Sequence, residues 1–382
     1  MRRQGKGNMI QVTSAFDGGA ITVHDTLRAD DIRLALRADA SADFSQWFYF
    51  RVSGVRDTDL TMHLLNAEKS TYPGGWPGYR AVASYDQQAW FRVDTAFADG
   101  RLTIRHRSAA DLVWFAYFEP YPMERHAGLL ARAQLRPGTR VRTLAVSCAG
   151  RPVDAVELGS EDPAAPQVWV ICRQHPGETM AEWFAEGLLD RLADSADPVA
   201  VRLLRTARIH VVPNMNPDGS ALGNLRTNAR GVDLNRAWVN ASTAASPEVL
   251  GVRQALIDQP PAVFLDVHGD ESLPYVFFAG SETQPTFTAE HRASAQQFTQ
   301  ALASLSPDFQ TVHGYGAVPF RPELLAMASQ WAFDRFRCVS FTLEMPFKDN
   351  ANLPDARAGW SGARSQRLGA AVVGALHDHL VR

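Results

Sequence analysis

The run Val168-Trp169-Val170-Ile171-Cys172 leads into Arg173-Gln174-His175-Pro176-Gly177-Glu178-Thr179-Met180, and no other stretch says more about the fold. The first five residues are continuously apolar, as a buried strand is. Beyond the Pro-Gly turn, Trp183-Phe184, Leu188-Leu189 and Leu192 recur at helical spacing. An imidazole and a carboxylate, His175 and Glu178, are thereby placed on a turn at the end of a core strand. Such a turn suits a metal, because the scaffold fixes the ligands while the loop leaves them open to solvent. His-x-x-Glu by itself arises often by chance. A second strand, Val263-Phe264-Leu265-Asp266-Val267-His268-Gly269-Asp270, ends in the same manner. Two histidines and one glutamate on neighbouring strand ends match a catalytic zinc site with three protein ligands and an open fourth position.

Working outward, residues 9–120 and 121–382 read as two units. The first holds many short aromatic or alternating strands: Ile21-Thr22-Val23, Ile32 to Leu36, Trp47 to Val52, Thr61 to Leu65, Trp90 to Val93, Leu102 to Ile104 and Leu112 to Tyr117. Turn chemistry separates them, notably at Tyr72 to Gly78 and at Asp99-Gly100, which predicts an antiparallel sandwich. After the corner Glu119-Pro120-Tyr121-Pro122 the pattern becomes α/β, with strands such as Ile209 to Pro213 and a helix over Ala289 to Leu305.

Composition bounds the function. A chain of 382 residues exceeds what one domain usually holds, so two units agree with its length. At 46% hydrophobic and 21% charged it reads as an ordinary soluble protein. A net charge of −3 without a basic block argues against a nucleic-acid partner. No apolar run approaches the roughly 20 residues that span a bilayer, so no membrane partner is expected. Met1 to Asn8 is basic, but no apolar stretch follows it, so no secretory signal is expected. The cysteines Cys148, Cys172 and Cys338 lie far apart and read as free thiols of a cytoplasmic protein. No Cys-x-x-Cys pair offers a thiolate zinc site.

Further motifs lie in the second unit. Asn214-Met215-Asn216-Pro217-Asp218-Gly219 follows a strand and reads equally well as a plain turn. Arg226, in Gly223 to Asn228, and Asn235-Arg236, in Gly231 to Arg236, bring two guanidinium groups and an amide. Guanidinium binds a carboxylate through paired hydrogen bonds, so the cluster suits a substrate with a terminal carboxylate; singly, each arginine reads as a solvated loop residue. In Val339 to Phe347, Glu344 ends an apolar strand, where a carboxylate can have a raised pKa and act as general base; alone it reads as readily as a salt-bridged surface group.

Together these motifs resemble the zinc carboxypeptidase family, whose order His-x-x-Glu, Arg, Asn-Arg, His, Glu recurs as His175, Glu178, Arg226, Asn235, Arg236, His268, Glu344. More narrowly the chain resembles the cytosolic carboxypeptidase branch, through Ser14 to Gly19, Trp47-Phe48-Tyr49-Phe50, the Tyr-Pro corner, His175-Pro176-Gly177-Glu178, Asn216 to Gly219 and Gly231 to Arg236. The resemblance implies a catalytic domain with a central mixed sheet flanked by helices, behind a smaller β-sandwich. It implies one zinc ion bound by His175, Glu178 and His268, with Asp233 orienting the ring of His175. It implies Glu344 as general base, Arg226 on the oxyanion, and Asn235 with Arg236 on the substrate's C-terminal carboxylate. The expected activity is removal of C-terminal residues from peptides or proteins, with acidic ends under consideration. Trp331, thirteen residues before Glu344, stands where the family often has tryptophan.

Two departures remain. The family's mobile tyrosine has no sure match, and Tyr315 in His313-Gly314-Tyr315-Gly316 is the candidate. Asp270 follows Gly269 where the cytosolic branch more often shows histidine. Arg321 and Arg335 are candidates for a basic group deep in the side-chain pocket. A rival reading is a related zinc amidohydrolase that removes acyl groups from amino acids, which usually carries its extra β domain after the catalytic one. Another is a peptide-binding module without catalysis, opposed by retention of all three ligands, Glu344 and Arg226.

Overall fold

The computed structural model describes residues 10–381; the basic start Met1 to Asn8, and Met9, lie outside the described residues. Among these residues the aromatic runs form β1 (Gln11–Thr13), β2 (Thr22–Asp25), β3 (Ile32–Ala35), β4 (Tyr49–Ser53), β5 (Asp59–Leu64), β6 (Val82–Ser84), β7 (Trp90–Arg92), β8 (Asp94–Ala98), β9 (Arg101–Arg107) and β10 (Leu112–Ala116). They make two five-stranded sheets, ordered β1-β4-β10-β6-β7 and β2-β3-β5-β9-β8. Period-two alternation sets the inner faces: Leu60, Met62 and Leu64 of β5 are buried and the residues between them are not. Asp99 and Gly100, both at positive φ (51° and 74°), make the tight turn between β8 and β9. The expected sandwich is antiparallel except at one pair: β3 and β5 run parallel. The reason is topological, since the intervening β4 belongs to the other sheet and the chain returns in its original direction.

The second region forms one seven-stranded mixed sheet from β11 (Arg140–Val146), β12 (Pro152–Gly159), β13 (Gln167–Cys172), β14 (Arg208–Val212), β15 (Pro261–Asp270), β16 (Phe277–Ala279) and β17 (Val339–Pro346). Its order is β11-β12-β14-β13-β15-β17-β16, with β14, β13, β15 and β17 parallel. Eight α-helices accompany it among the described residues: α1 (Met123–Gln134), α2 (Met180–Leu192), α3 (Pro198–Thr206), α4 (Pro217–Leu222), α5 (Pro247–Asp258), α6 (Ala289–Leu305), α7 (Ala328–Phe336) and α8 (Gly362–Leu380). Val168 and Val170 face a core shared with α2 and α8, while Trp169 and Ile171 face a second core with α5 and α7. Both faces of the parallel strands are therefore covered, which is why they read as unbroken apolar runs. Helices α2 and α8 touch backbone to backbone: a Cβ on Gly187 would stand 2.0 Å from Gln366 O, and one on Gly369 2.1 Å from Phe184 O.

The core is continuous from the β-rich region into the α/β region. Tyr117 stacks on Phe347 at 4.5 Å. Buried Arg92 donates to the carbonyls of Phe347, Lys348, Ala358 and Trp360, so its guanidinium is satisfied without a carboxylate. No helix among the described residues is long and apolar enough to cross a membrane.

Candidate metal centre and active site

The loop after β13 is held before it presents anything. Arg173 is buried and left-handed (φ 58°), a conformation that persists only where surroundings over-determine it. Its guanidinium donates to Pro176 O at 2.9 Å, Tyr121 O at 2.7 Å and Glu182 Oε2 at 2.7 Å. Gly177 lies under the 225 loop: its N–H donates to Leu225 O at 2.9 Å, and a Cβ there would meet the same oxygen at 2.9 Å. The chain then enters α2.

On that loop His175 Nδ1 lies 2.6 Å from Glu178 Oε1. Across the sheet His268 Nδ1 lies 2.7 Å from Glu178 Oε2 and 3.2 Å from His175 Nδ1. The three side chains are buried, and their ligand atoms fall within 4.8 Å of one another, a group able to hold a metal ion. Each ring turns its other nitrogen to a carboxylate: His175 Nε2 to Asp233 Oδ1 at 3.0 Å, His268 Nε2 to Asp266 Oδ1 at 2.9 Å. Such pairing fixes the tautomer and leaves Nδ1 free to ligate. Asp266 in turn accepts from Gln174 Nε2 at 2.8 Å and 2.9 Å, and Trp238 Nε1 donates to Gln174 Oε1 at 2.9 Å.

Glu344 arrives by register. In the parallel β15–β17 pair it stands opposite His268, so both side chains leave the same face. Its Oε1 accepts from Tyr315 Oη at 3.1 Å, while Oε2 is buried with no partner among the described residues. Burial, with Glu178 and Asp270 nearby, pushes the Glu344 carboxyl well above its ordinary range. Glu178 moves the other way: burial alone would raise it, but the two imidazoles outweigh burial and hold it low. Asp233 is likewise held low against burial by His175 and Arg226.

A cavity of about 370 Å³ opens over these groups and is lined also by Tyr72, Arg226, Asn235, Arg236, Asp270, Glu271 and Tyr315. Arg226 Nε donates to Asp233 Oδ2 at 2.7 Å. Asn235 Oδ1 accepts from Ala328 N at 2.8 Å, and Arg236 donates to Asn235 O at 2.7 Å, so the pair sits at the start of α7. Tyr315 reaches Asp270 Oδ2 at 2.7 Å. Seven residues expected at the site thus converge with Tyr315 and Asp233. Arg321 and Arg335 do not: both are exposed, and neither lines the cavity. Their loop and helix positions point them to water, so the pocket gains no deep cation from them. Trp331 packs on Trp238 at 5.4 Å in the core behind the cavity.

Residues 129–358 match the zinc carboxypeptidase family, and residues 12–118 match the cytosolic carboxypeptidase N-terminal domain. A metallo-carboxypeptidase of Burkholderia cenocepacia is 48% identical, with TM-score 0.95 over 97% of this chain and 99% of that one. One of Pseudomonas aeruginosa, solved in complex with (2-guanidinoethylmercapto)succinic acid, is 43% identical, with TM-score 0.93 over 97% of this chain and all of that one (100%). Human cytosolic carboxypeptidase 1 is 27% identical over 74% of this chain, which spans only 27% of that protein's length. This chain belongs to the zinc carboxypeptidase family and is a hydrolase of its metallocarboxypeptidase type, with the N-terminal domain of the cytosolic branch.

Proposed function

We propose that the protein removes the C-terminal residue of peptides or proteins ending in a free carboxylate, with one zinc ion held by His175, Glu178 and His268. The carrying observation is that these three donors share one cavity with Glu344, Arg226, Asn235 and Arg236. Two imidazole nitrogens and a carboxylate are the donor set of catalytic zinc. Glu344 lines the same cavity, and its Oε2 has no hydrogen-bond partner among the described residues, so one carboxylate oxygen is uncommitted. A zinc ion there would supply Lewis-acid polarisation and acidify water to a pKa of about 7.

The chain's own residues do the rest. Arg236 and the Asn235 amide orient the peptide by its terminal carboxylate, which restricts cleavage to the last bond. The Glu344 carboxylate takes a proton from the attacking water and later returns it to the leaving amine. Arg226 donates to the oxygen on which charge develops. Tyr315 closes over the substrate. Apart from Glu344, the lining from β16, β17 and the start of α7 is uncharged: Ala279, Met327, Ser329, Gln330 and Thr342. An uncharged C-terminal side chain fits that wall better than the acidic one considered from sequence. The succinic-acid ligand of the Pseudomonas relative carries free carboxylates, which supports a carboxylate clamp. Buried Cys172 and Cys338, both free, and relatives named cytosolic support a cytoplasmic location.

Matched peptides with free and amidated C-termini test this reading. A hydrogen bond to a charged group contributes roughly 1.5–3 kcal/mol, so the amide should lose about 10- to 150-fold in kcat/KM. Arg236→Ala should shrink that ratio by slowing the acid more than the amide. Equal rates on both peptides in the parent enzyme would reject an exopeptidase.

A further inference from the structure

The β-rich domain reaches the site through Tyr72 and through the segment between β3 and β4. Between β3 and β4, Asp39 is buried, 7% exposed, and its carboxylate faces the loop that carries Arg226. Oδ1 accepts Leu225 N–H at 2.5 Å; Oδ2 accepts Arg226 N–H at 3.0 Å, Thr227 N–H at 2.8 Å and the Thr227 hydroxyl at 2.8 Å. Four donors from three consecutive residues converge on one carboxylate, and no cation among the described residues shares it. The contact continues on either side. Ala40 N–H donates to Asn224 Oδ1 at 3.0 Å and the Ser41 hydroxyl to Ala229 O at 3.0 Å. A Cβ on Gly231 would stand 2.2 Å from Ser41 O, so the two backbones are as close as they can come. The Arg226 guanidinium lies over two rings of the same domain, Phe44 at 5.7 Å and Tyr72 at 5.8 Å from the ring centroids. On its far side the guanidinium is tied to Asp233, whose other oxygen meets His175.

We propose that Asp39, with Phe44 and Tyr72, is a positioning group for the reaction: the N-terminal domain sets the Arg226 loop so that the guanidinium points where the oxyanion forms. This rests on the reading of Arg226 given above. The physical case is that backbone N–H groups fixed by an anion leave the loop one conformation. A donor is worth most when it needs no reorganisation as charge develops. Packing alone would not require a buried carboxylate with four donors, since burial of an acid costs free energy that an apolar side chain would not.

The test is a double-mutant cycle on the zinc-loaded full chain with a free-acid peptide. Asp39→Asn replaces an acceptor with a donor facing N–H groups. It should lower kcat/KM by about 10- to 100-fold, a part of what one oxyanion donor is worth. The loss should fall on kcat, with KM and inhibition by a product amino acid nearly unchanged, because Asn235 and Arg236 are untouched. In an Arg226→Ala background the same change should cost less than about threefold, since residues acting as a unit are not additive. Full additivity, or near-native kcat in Asp39→Asn, would overturn the proposal while leaving Arg226 in place. Undiminished activity in Arg226→Ala alone would remove the reading of Arg226, and this proposal with it. If Asp39→Asn fails to fold, Phe44→Leu serves instead, because the Phe44 side chain contributes a ring face rather than a hydrogen bond. It should cost about two- to fivefold in kcat, and that loss should vanish without Arg226. A loss of equal size in both backgrounds would reject the positioning role.

Discussion

The two walls of the cavity are built on opposite terms. On one, the ends of β13, β15 and β17 deliver His175, Glu178, His268 and Glu344, each no more than 6% exposed. Their partners are themselves fixed: Asp233, Asp266, Gln174 and Trp238 form a hydrogen-bonded layer beneath. On the other, the segment that carries Tyr315 also leaves Val312 83% and Val318 47% exposed, and Tyr315 itself is 52% exposed. The contrast separates chemistry from access. Groups that must meet reacting atoms at hydrogen-bond distance are placed on rigid strands with supported rotamers. Tyr315, proposed above to close over the substrate, sits on a segment with little burial to hold it.

If that division is right, the largest single effect should come from the rigid wall. Glu344→Gln keeps the shape of the side chain but cannot take a proton at neutral pH. We expect zinc content and thermal stability near those of the parent and kcat lower by about 10²–10⁴. Metal analysis, a melting curve and steady-state kinetics measure all three. Near-native kcat would move the base elsewhere, and Glu271, which also lines the cavity, would be the next carboxylate to change.

The same division governs what could be read from sequence. His175, Glu178, His268 and Glu344 could be read as candidates because each lies in or just past an apolar run, and apolar runs announce covered strands. Asp266 was within reach and was missed. A carboxylate two residues before His268 in an otherwise apolar strand must leave the same face as the imidazole. Gln174, beside His175, gave no such signal. Asp39 could not be found at all: the residue it holds lies 187 positions away, and nothing local marks an aspartate as a cap for a distant loop. The left-handed Arg173 was equally silent, since its conformation is imposed by Glu182 and two carbonyls. The parallel β3–β5 pair follows from β4 switching sheets, which strand patterns do not encode. Arg321 and Arg335 were wrong candidates for the pocket because loop and helix-surface arginines carry no periodicity that fixes an inward direction.

The layer beneath the ligands offers an intermediate effect. Asp266 is fully buried and holds His268 Nε2 at 2.9 Å. Asp266→Asn keeps an acceptor but loses the charge that raises the basicity of the ring. We expect zinc affinity to fall about 10- to 100-fold, read by competition with a chelator, and activity to return when zinc is supplied in excess. Unchanged affinity would mean that the buried layer is packing rather than tuning.

The smallest effect should come from the exposed wall. Tyr315→Phe removes a hydroxyl that donates to Asp270 and Glu344 but leaves the ring, which packs edge-on against Phe277 at 5.0 Å. The single proton is shared between the two carboxylates and competes with water at a half-exposed position, so its loss is worth about 0.5–1.5 kcal/mol in all. The change in kcat/KM should stay within about tenfold. It should appear chiefly in KM, because closure over bound substrate is what the hydroxyl stabilises. Glu344 would keep its free Oε2 and its register with His268, so the proton-accepting step should survive. A kcat loss beyond about a hundredfold would contradict the separation of the two walls. It would place the Tyr315 hydroxyl among the groups that act on the transition state, at the scale of a general acid.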